Sequence, residues 1–435
     1  MPFRQFSIGR RINTMLTQAA LDYVAATVDD VAHSQFNLTT NLLIHLPSHV
    51  DLIMSPVGLG LLLFALRIGA HRRTARQIEN VLRIPQLQYD DMDPYRIGLF
   101  NMLTTIRQKP TPYSTVKLGT RLYVRKGFPI GKRFRRLYHK TLDTDIQRLR
   151  LLHAKEAADD INEWVGNLTQ GTVTSMIDPS SINSDTQMLL INVIYFKAPW
   201  KYPFDIRDTR ATTFFLDDGT LRNVAMMHAT DNFGYGYLPT IRADLAVLPY
   251  KGDRYSMHIL VPQAEQTLHN MLQDMTNLNL DTLRSNIIRS GNCNKASVYL
   301  PRFSIESTHE LRPVFQSMGM SDMFSSSRAD FSGIPRHGRT VPGLAVSRII
   351  QKAYINVTEE GTEASATTEI RAGVTCMPRL TIINANRPFY YHIIDEDTGA
   401  LLFAGVVRAP EPYVDVERVD VYEDLSYEYE YALIA

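Results

Sequence analysis

The chain has 435 residues and a formal net charge of +1, with 46 lysine and arginine residues against 45 aspartate and glutamate residues. This balance excludes strong non-specific binding to nucleic acid, because such binding needs a clear excess of positive charge. Its two cysteines, Cys293 and Cys376, are too few for a disulfide framework. No linker rich in proline, glycine and serine divides the chain.

Hydrophobic periodicity predicts helices in the first half of the chain and mainly strands in the second. Helical spacing is found over residues 14–32, 74–82, 92–106, 132–142 and 154–168, and the apolar run 57–66 is explained as a core helix. Strands are predicted at 114–123, within 188–261, and at 344–358, 386–394 and 400–407. Further helices are predicted near 266–289 and 309–318. This order is typical of an α+β fold with large antiparallel sheets.

Residues 361–372 (GTEASATTEIRA) alternate between small or apolar residues and polar or charged ones, which is the pattern of a half-buried strand. Their alanines, serine and glutamates are nevertheless weak strand formers. We interpret the segment as an exposed loop that later slips between two strands. Small inward side chains at Thr362, Ala364 and Ala366 would let it insert without overpacking the core. Gly361 supplies the backbone freedom of a hinge.

Several motifs together resemble those of the serpin family. EEGTEASA at 359–366 is similar to the family's hinge, and ANRPFYYHI at 385–393 is similar to its C-terminal signature. LIMSP at 52–56, NEWVGNLTQG at 162–171 and LINVIYFKAPW at 190–200 extend the resemblance from about Asn41 to Arg408. It implies a serpin fold with about nine helices, three β-sheets and an exposed reactive-centre loop at about 359–380. It also implies a single domain of residues 1–409.

The activity implied by this resemblance is suicide inhibition of a serine protease. Cleavage in the loop would give an acyl-enzyme, and insertion of the loop between the strands near 188–197 and 344–358 would trap it. The implied hinge comprises Glu360, Gly361, Thr362, Glu363, Ala364, Ser365, Ala366 and Thr367. Its small residues favour an inhibitor over the alternative, a non-inhibitory serpin that acts as a carrier, chaperone or decoy. No hydrolase, metal or P-loop motif occurs, so we expect neither an enzyme nor a bound metal.

The position of the reactive bond is implied by family spacing. Counting from Gly361 gives Thr375–Cys376, and counting back from Pro388 allows Val374 to Met377. Thr375 would suit an elastase-like protease with a small pocket, whereas Met377 is followed by proline and suits a protease less well. Arg371 and Arg379 would suit trypsin-like proteases and remain alternatives. In the same loop, Cys376 could also be a reactive thiol.

The region where the family's main sheet opens matches this chain in part. The residues assigned to it are Ser55, Asn192, Trp200 and Gln351. Two positions depart from the family: its second serine aligns with Gly58 and its histidine with Gln351. Glutamine can donate and accept hydrogen bonds as histidine does. We therefore expect the network to survive this replacement.

A basic cluster and an acidic tail lie outside these motifs. The cluster includes Lys132, Arg133, Arg135, Arg136 and Lys140, and is either a solvated helix face or a site for a glycosaminoglycan or other polyanion. The tail at 410–435 is rich in acids and tyrosines and extends past the family's usual end. We expect it to be disordered. In a secreted protein its tyrosines could be sulfated and bind a protease exosite or the basic cluster.

Signals for location are mixed. The first eleven residues are basic, but no compact apolar segment follows, so no clear signal peptide is seen. Three sequons, at Asn37, Asn167 and Asn356, are compatible with secretion, although Asn356 lies in a predicted central strand. We expect an extracellular, monomeric glycoprotein whose partner is a serine protease, with neither nucleic acid nor a membrane as a further partner.

Overall fold

The computed structural model describes residues 18–47, 49–84, 93–109, 111–149, 153–183, 185–288, 295–336, 343–362 and 380–414. Nine α-helices lie within these ranges: α1 (Gln18–His45), α2 (Pro56–Gly69), α3 (Arg72–Leu82), α4 (Pro94–Gln108), α5 (Lys132–Leu142), α6 (Ala154–Leu168), α7 (Leu268–Met275), α8 (Leu280–Ser285) and α9 (Arg312–Ser317).

Sixteen strands lie within the same ranges: β1 (Leu52–Met54), β2 (Thr115–Arg125), β3 (Gln147–Leu149), β4 (Met188–Pro199), β5 (Arg210–Phe215), β6 (Leu221–Asp231), β7 (Gly234–Leu238), β8 (Ala243–Pro249), β9 (Tyr255–Pro262), β10 (Ala296–Pro301), β11 (Phe303–Glu310), β12 (Val346–Thr358), β13 (Gly361–Thr362), β14 (Thr381–Asn384), β15 (Phe389–Asp395) and β16 (Leu401–Val407).

The strands form three sheets. Sheet A has the order β11-β12-β13-β4-β2-β3, sheet B the order β1-β16-β15-β9-β8-β7, and sheet C the order β14-β10-β6-β5. The predicted hairpin near the C-terminus is present, since β15 and β16 pair antiparallel. The predicted α+β class and its three-sheet architecture are therefore confirmed.

Two helix bounds differ from the sequence prediction. The predicted helix 14–32 ends too early, because α1 continues to His45 and buries most of its later turns, with Phe36, Leu38, Thr39 and Thr40 each at most 1% exposed. Only a narrow stripe through His33, Asn37 and Asn41 is half-buried, and such a broadly buried helix shows a weak amphipathic period. The helix predicted from residue 309 begins at Arg312, because His309 and Glu310 still pair with β12.

The core occupies both faces of sheet A. On one face, β4 presents Leu190, Ile194 and Phe196 to the main core shared with sheet B and α2. On the other face, Leu189, Ile191 and Val193 of the same strand pack beneath α6. Burial on both faces explains why β4 reads as a continuous apolar run. Among the described helices, none is both long and apolar enough to span a bilayer.

Candidate functional site

The start of the predicted reactive-centre loop already belongs to sheet A. Gly361 and Thr362 form β13, which pairs antiparallel with Pro199 and Ala198 of β4 on one side and with β12 on the other. Further along, β4 and β12 pair directly and in parallel from Met188 to Ile194. Sheet A is therefore closed over most of its length and opened by β13 at one end. The first residues of the loop expected at 359–380 are therefore not exposed, because Glu359, Gly361 and Thr362 are buried.

Contacts with neighbouring residues fix Gly361 and Thr362 between β4 and β12. Gly361 has φ +150°, and a Cβ there would lie 2.2 Å from the carbonyl oxygen of Ala198, so only glycine fits. Thr362 is 1% exposed, and its Oγ1 lies 2.8 Å from the hydroxyl of Tyr250. Burial raises the pKa of Tyr250, so the phenol is neutral and can take part as donor or acceptor.

Trp200 holds the hinge from the end of β4. Its backbone N–H donates to the carbonyl of Glu360 at 2.9 Å, and its indole Nε1–H donates to the carbonyl of Thr358 at 2.9 Å. The indole stacks on the ring of Tyr250 with centroids 4.4 Å apart. Trp200 thus lies with the hinge, apart from the other three residues assigned to the sheet-opening region.

Glu359, the residue before the hinge, is a buried carboxylate that forms an ion pair with the more exposed Arg302. Its side chain is 7% exposed and its Oε1 lies 2.7 Å from the Arg302 guanidinium, at the junction of β10 and β11. The same oxygen accepts from Thr209 Oγ1 at 2.6 Å. A buried carboxylate needs such partners, because desolvation alone would be costly. Sequence reasoning missed this pair, because Arg302 and Glu359 are 57 residues apart and no local pattern connects them.

Ser55, Asn192 and Gln351 are brought together and are fully buried. Oε1 of Gln351 accepts from the backbone N–H of Ser55 at 2.9 Å, and its Nε2 donates to the carbonyl of Ser55 at 3.0 Å. The same Nε2 donates to Oδ1 of Asn192 at 2.7 Å, which ties β12 to β4. Glutamine thus fills a position where the family commonly has histidine, with a side chain that does not titrate.

Gly58 completes this network by the absence of a side chain. Nδ2 of Asn192 donates to Gly119 and Thr120 of β2 at 3.0 Å each, which fixes the orientation of the amide. A Cβ at Gly58 would lie 2.1 Å from Oδ1 of Asn192 and 2.4 Å from its Cγ. Glycine at this helix position therefore makes room for the asparagine, a role that sequence reasoning did not assign.

The remaining predicted site residues divide into two groups. The hinge residues after Thr362, the candidate bonds from Val374 to Met377, and Arg371 and Arg379 lie outside the described residues. The basic cluster lies on α5, whose apolar side buries Phe134, Tyr138 and Leu142. All five cluster residues are exposed on the opposite side: Lys132, Arg133, Arg135, Arg136 and Lys140. The helix is amphipathic, as its sequence predicts.

Sheet A is thus held closed by buried side-chain amides, and the short strand β13 enters it at one end. The family model described as Serpin (serine protease inhibitor) matches residues 33–410. Human Serpin B11 is 30% identical over 366 residues, covering 80% of this chain and 91% of that one. Bovine antithrombin-III is 29% identical over 371 residues, covering 84% of this chain and 77% of that one.

A comparison of structures agrees. The crystal structure of native protease nexin-1 with heparin matches with a TM-score of 0.73 and 26% identity, covering 89% of this chain and all of that chain. The chain therefore belongs to the serpin family, a family of serine protease inhibitors.

Proposed function

We propose that this serpin inhibits a serine protease as a suicide substrate. The observation that carries the proposal is β13, which has already entered sheet A between β4 and β12. Attack of the protease on the loop would give an acyl-enzyme, and the freed loop would continue the strand that β13 begins. Translocation of the bound protease would distort its active site and stall deacylation. If the intact chain is less stable than the cleaved chain with its loop inserted, the difference in free energy drives this translocation.

The register of β13 indicates what insertion must displace. Continued along the same register, Ala364 reaches Phe196 of β4, and Ala366 reaches Ile194. Small side chains suit both positions, because they face the packed core. Thr368 then reaches the level of Asn192 and Gln351, where it must break their 2.7 Å hydrogen bond. We propose that breaking this hydrogen bond is the energy barrier to insertion. The backbone hydrogen bonds that the new strand forms with its neighbours offset the loss.

We propose Thr375–Cys376 as the reactive bond and an elastase-like protease as the partner of a monomeric inhibitor. The test is incubation with elastase-, trypsin- and chymotrypsin-like proteases followed by denaturing gels. A covalent complex that survives boiling in detergent supports inhibition, and the mass of the released peptide identifies the bond. Cleavage at Arg371 or Arg379 would favour a trypsin-like partner. Cleavage without any complex would favour a non-inhibitory serpin.

A pair of hinge variants tests the insertion step itself. Ala364→Arg places a charge toward the core and should turn the inhibitor into a substrate that is cut without forming a complex. Glu363→Arg is the matched control, because position 363 already carries a charge and alternates to the other side of the strand. Equal complex yields for the two variants would contradict insertion in this register.

We propose that the exposed side of α5 binds a sulfated polyanion. Five basic side chains share this surface (Lys132, Arg133, Arg135, Arg136 and Lys140), and the similar protease nexin-1 structure contains heparin. Neutralising three of them should lower the salt concentration that elutes the protein from heparin. Neutralising Arg72, Arg73 and Arg76 of α3 is the control for charge number, because Arg72 and Arg73 already face Asp330 and Asp322. Equal elution of both variants would contradict the α5 site.

We propose an extracellular location on the strength of one sequon. Asn167 is exposed near the end of α6, whereas Asn37 and Asn356 are half-buried within α1 and β12. Expression in cultured animal cells, followed by glycosidase treatment of medium and lysate, tests this. Secretion with a mass shift that Asn167→Gln removes supports it, and retention of unglycosylated protein contradicts it.

A further inference from the structure

A cavity of about 430 Å³ opens beside the first residues of β2. Its volume lies within the range of small-molecule sites, which is about 300–1,000 Å³. Such sites are lined mainly by apolar side chains, with a few polar groups that orient the ligand. Five apolar side chains from α4, β2 and α6 form the walls of this cavity: Leu103, Ile106, Val116, Leu118 and Leu168.

The cavity lies along an edge of sheet A. On one side, β2 pairs with β4 from Thr115 to Val124. On the other side, within the described part of the chain, β3 covers β2 only from Tyr123 to Arg125. Residues 115–118 therefore form an edge of the described sheet. In an antiparallel pair, alternate residues point their backbone N–H groups away from the partner strand, and N–H groups at a sheet edge attract anions.

The charged side chains at the cavity are both cations. Arg107, in the last turn of α4, and Lys117 line it, and none of the described lining residues is an aspartate or a glutamate. The guanidinium of Arg107 donates to the carbonyl of Leu142 at 3.0 Å and lies 3.4 Å from a carboxylate oxygen of Asp143, whose side chain is 74% exposed. An ion pair with so exposed a partner contributes little. The positive charge at the cavity is therefore only weakly compensated.

A second cavity, beside α1, has the opposite character. Its volume is about 570 Å³, and it is lined by the carboxylates of Asp29, Glu396 and Asp397. Arg284 also lines this second cavity, but its guanidinium already pairs with Asp29 at 2.7 Å. Neighbouring carboxylates repel an anion. Of these two cavities, the one at β2 is therefore the one whose charge suits an anionic ligand.

We propose that the cavity at β2 binds a small amphiphilic carboxylate. Its apolar body would lie against Leu103, Ile106 and Leu168, where it is removed from water. Its carboxylate would lie at Arg107 and Lys117, because guanidinium and ammonium groups donate strong, charge-assisted hydrogen bonds to carboxylates. Burial lowers the pKa of Arg107, although the guanidinium stays charged and can serve as this donor. Binding of this ligand does not depend on the proposed inhibitory function.

The test is a fluorescence titration of the full chain with two matched probes. Dansylaminoundecanoic acid supplies an apolar body with a carboxylate, and its methyl ester supplies the same body without the charge. The acid should bind at least about ten-fold more tightly than the ester. Arg107→Gln combined with Lys117→Gln should weaken binding of the acid at least about ten-fold and leave the ester unchanged. Arg125→Gln combined with Lys126→Gln is the matched control, because it removes the same charge from exposed positions at the other end of β2.

A variant that fills the cavity tests the location of the site. Thr115→Trp places a large ring at a residue that lines the cavity, so binding of both probes should fall at least about ten-fold. The unfolding temperature shows whether this variant is folded, and the charge variants decide the question if it is not. Unchanged binding by folded Thr115→Trp would overturn the proposal, because the probes would then bind elsewhere. Equal affinities for acid and ester, or equal losses in the charge variant and its control, would also overturn it.

Discussion

Replacement of Gly58 by alanine probes the packing around Asn192. A Cβ at this position would lie 2.1 Å from Oδ1 of Asn192, and that amide cannot rotate away without losing its bonds to Gly119, Thr120 and Gln351. Overpacking costs about 1–3 kcal/mol, and each buried polar group left without a partner costs about 1–3 kcal/mol more. Against this, alanine gains about 1 kcal/mol of helix propensity over glycine. We expect a net loss of about 1–5 kcal/mol.

Gly60 provides the matched control. It lies in the same helix and is also buried, but a Cβ there would have its nearest neighbour at 3.8 Å, which is ordinary contact. Gly60→Ala should therefore gain up to about 1 kcal/mol from propensity alone. The assays are the unfolding temperature of the native state and the rate at which a synthetic hinge peptide enters sheet A. Gly58→Ala should unfold at a lower temperature and accept the peptide faster than Gly60→Ala. Equal unfolding temperatures and equal rates for the two variants would refute the reasoning.

Three further outcomes are expected. Gln351→His should lower the unfolding temperature at pH values below about 6.5, because an imidazolium can no longer accept a hydrogen bond from Ser55. An unfolding temperature that matches the wild type throughout pH 5 to 8 would contradict this. Glu359→Gln should lower the unfolding temperature through loss of about 1–3 kcal/mol of pairing with Arg302, whereas Glu360→Gln, half-exposed, should not. Burial lowers the pKa of His392 well below 6.5, so stability that is fully present above pH 6.5 is lost on acidification, and His392→Phe should flatten this slope.

Local sequence patterns predicted the elements because their causes are local. The run in β4 and the amphipathic face of α5 follow from which side chains each element buries. The alternating segment begins with a strand of two residues, β13, and its remaining residues lie outside the described part of the chain. The pattern could not predict whether the start of this segment lies inside sheet A in the intact protein. Whether Thr362 lies outside or inside the sheet depends on Tyr250, which is distant in sequence.

The contacts that hold the site closed are long-range and could not be read from spacing. Gln351 bonds Asn192 across 159 residues and Ser55 across 296 residues, and neither distance leaves a periodic signal. The resemblance to serpins identified these positions but gave Gly58 only as a departure. The structure explains that departure by volume, because the asparagine amide occupies the space of a side chain at Gly58.

Cleavage of the loop followed by thermal unfolding tests the central claim most directly. If β13 is the beginning of a strand that the loop completes, a chain cut within the loop should unfold at a much higher temperature than the intact chain. The gain should shrink when Ala364→Arg blocks the strand at Phe196. Intact and cut chains that unfold at the same temperature would contradict loop insertion, and with it the proposed mechanism of inhibition.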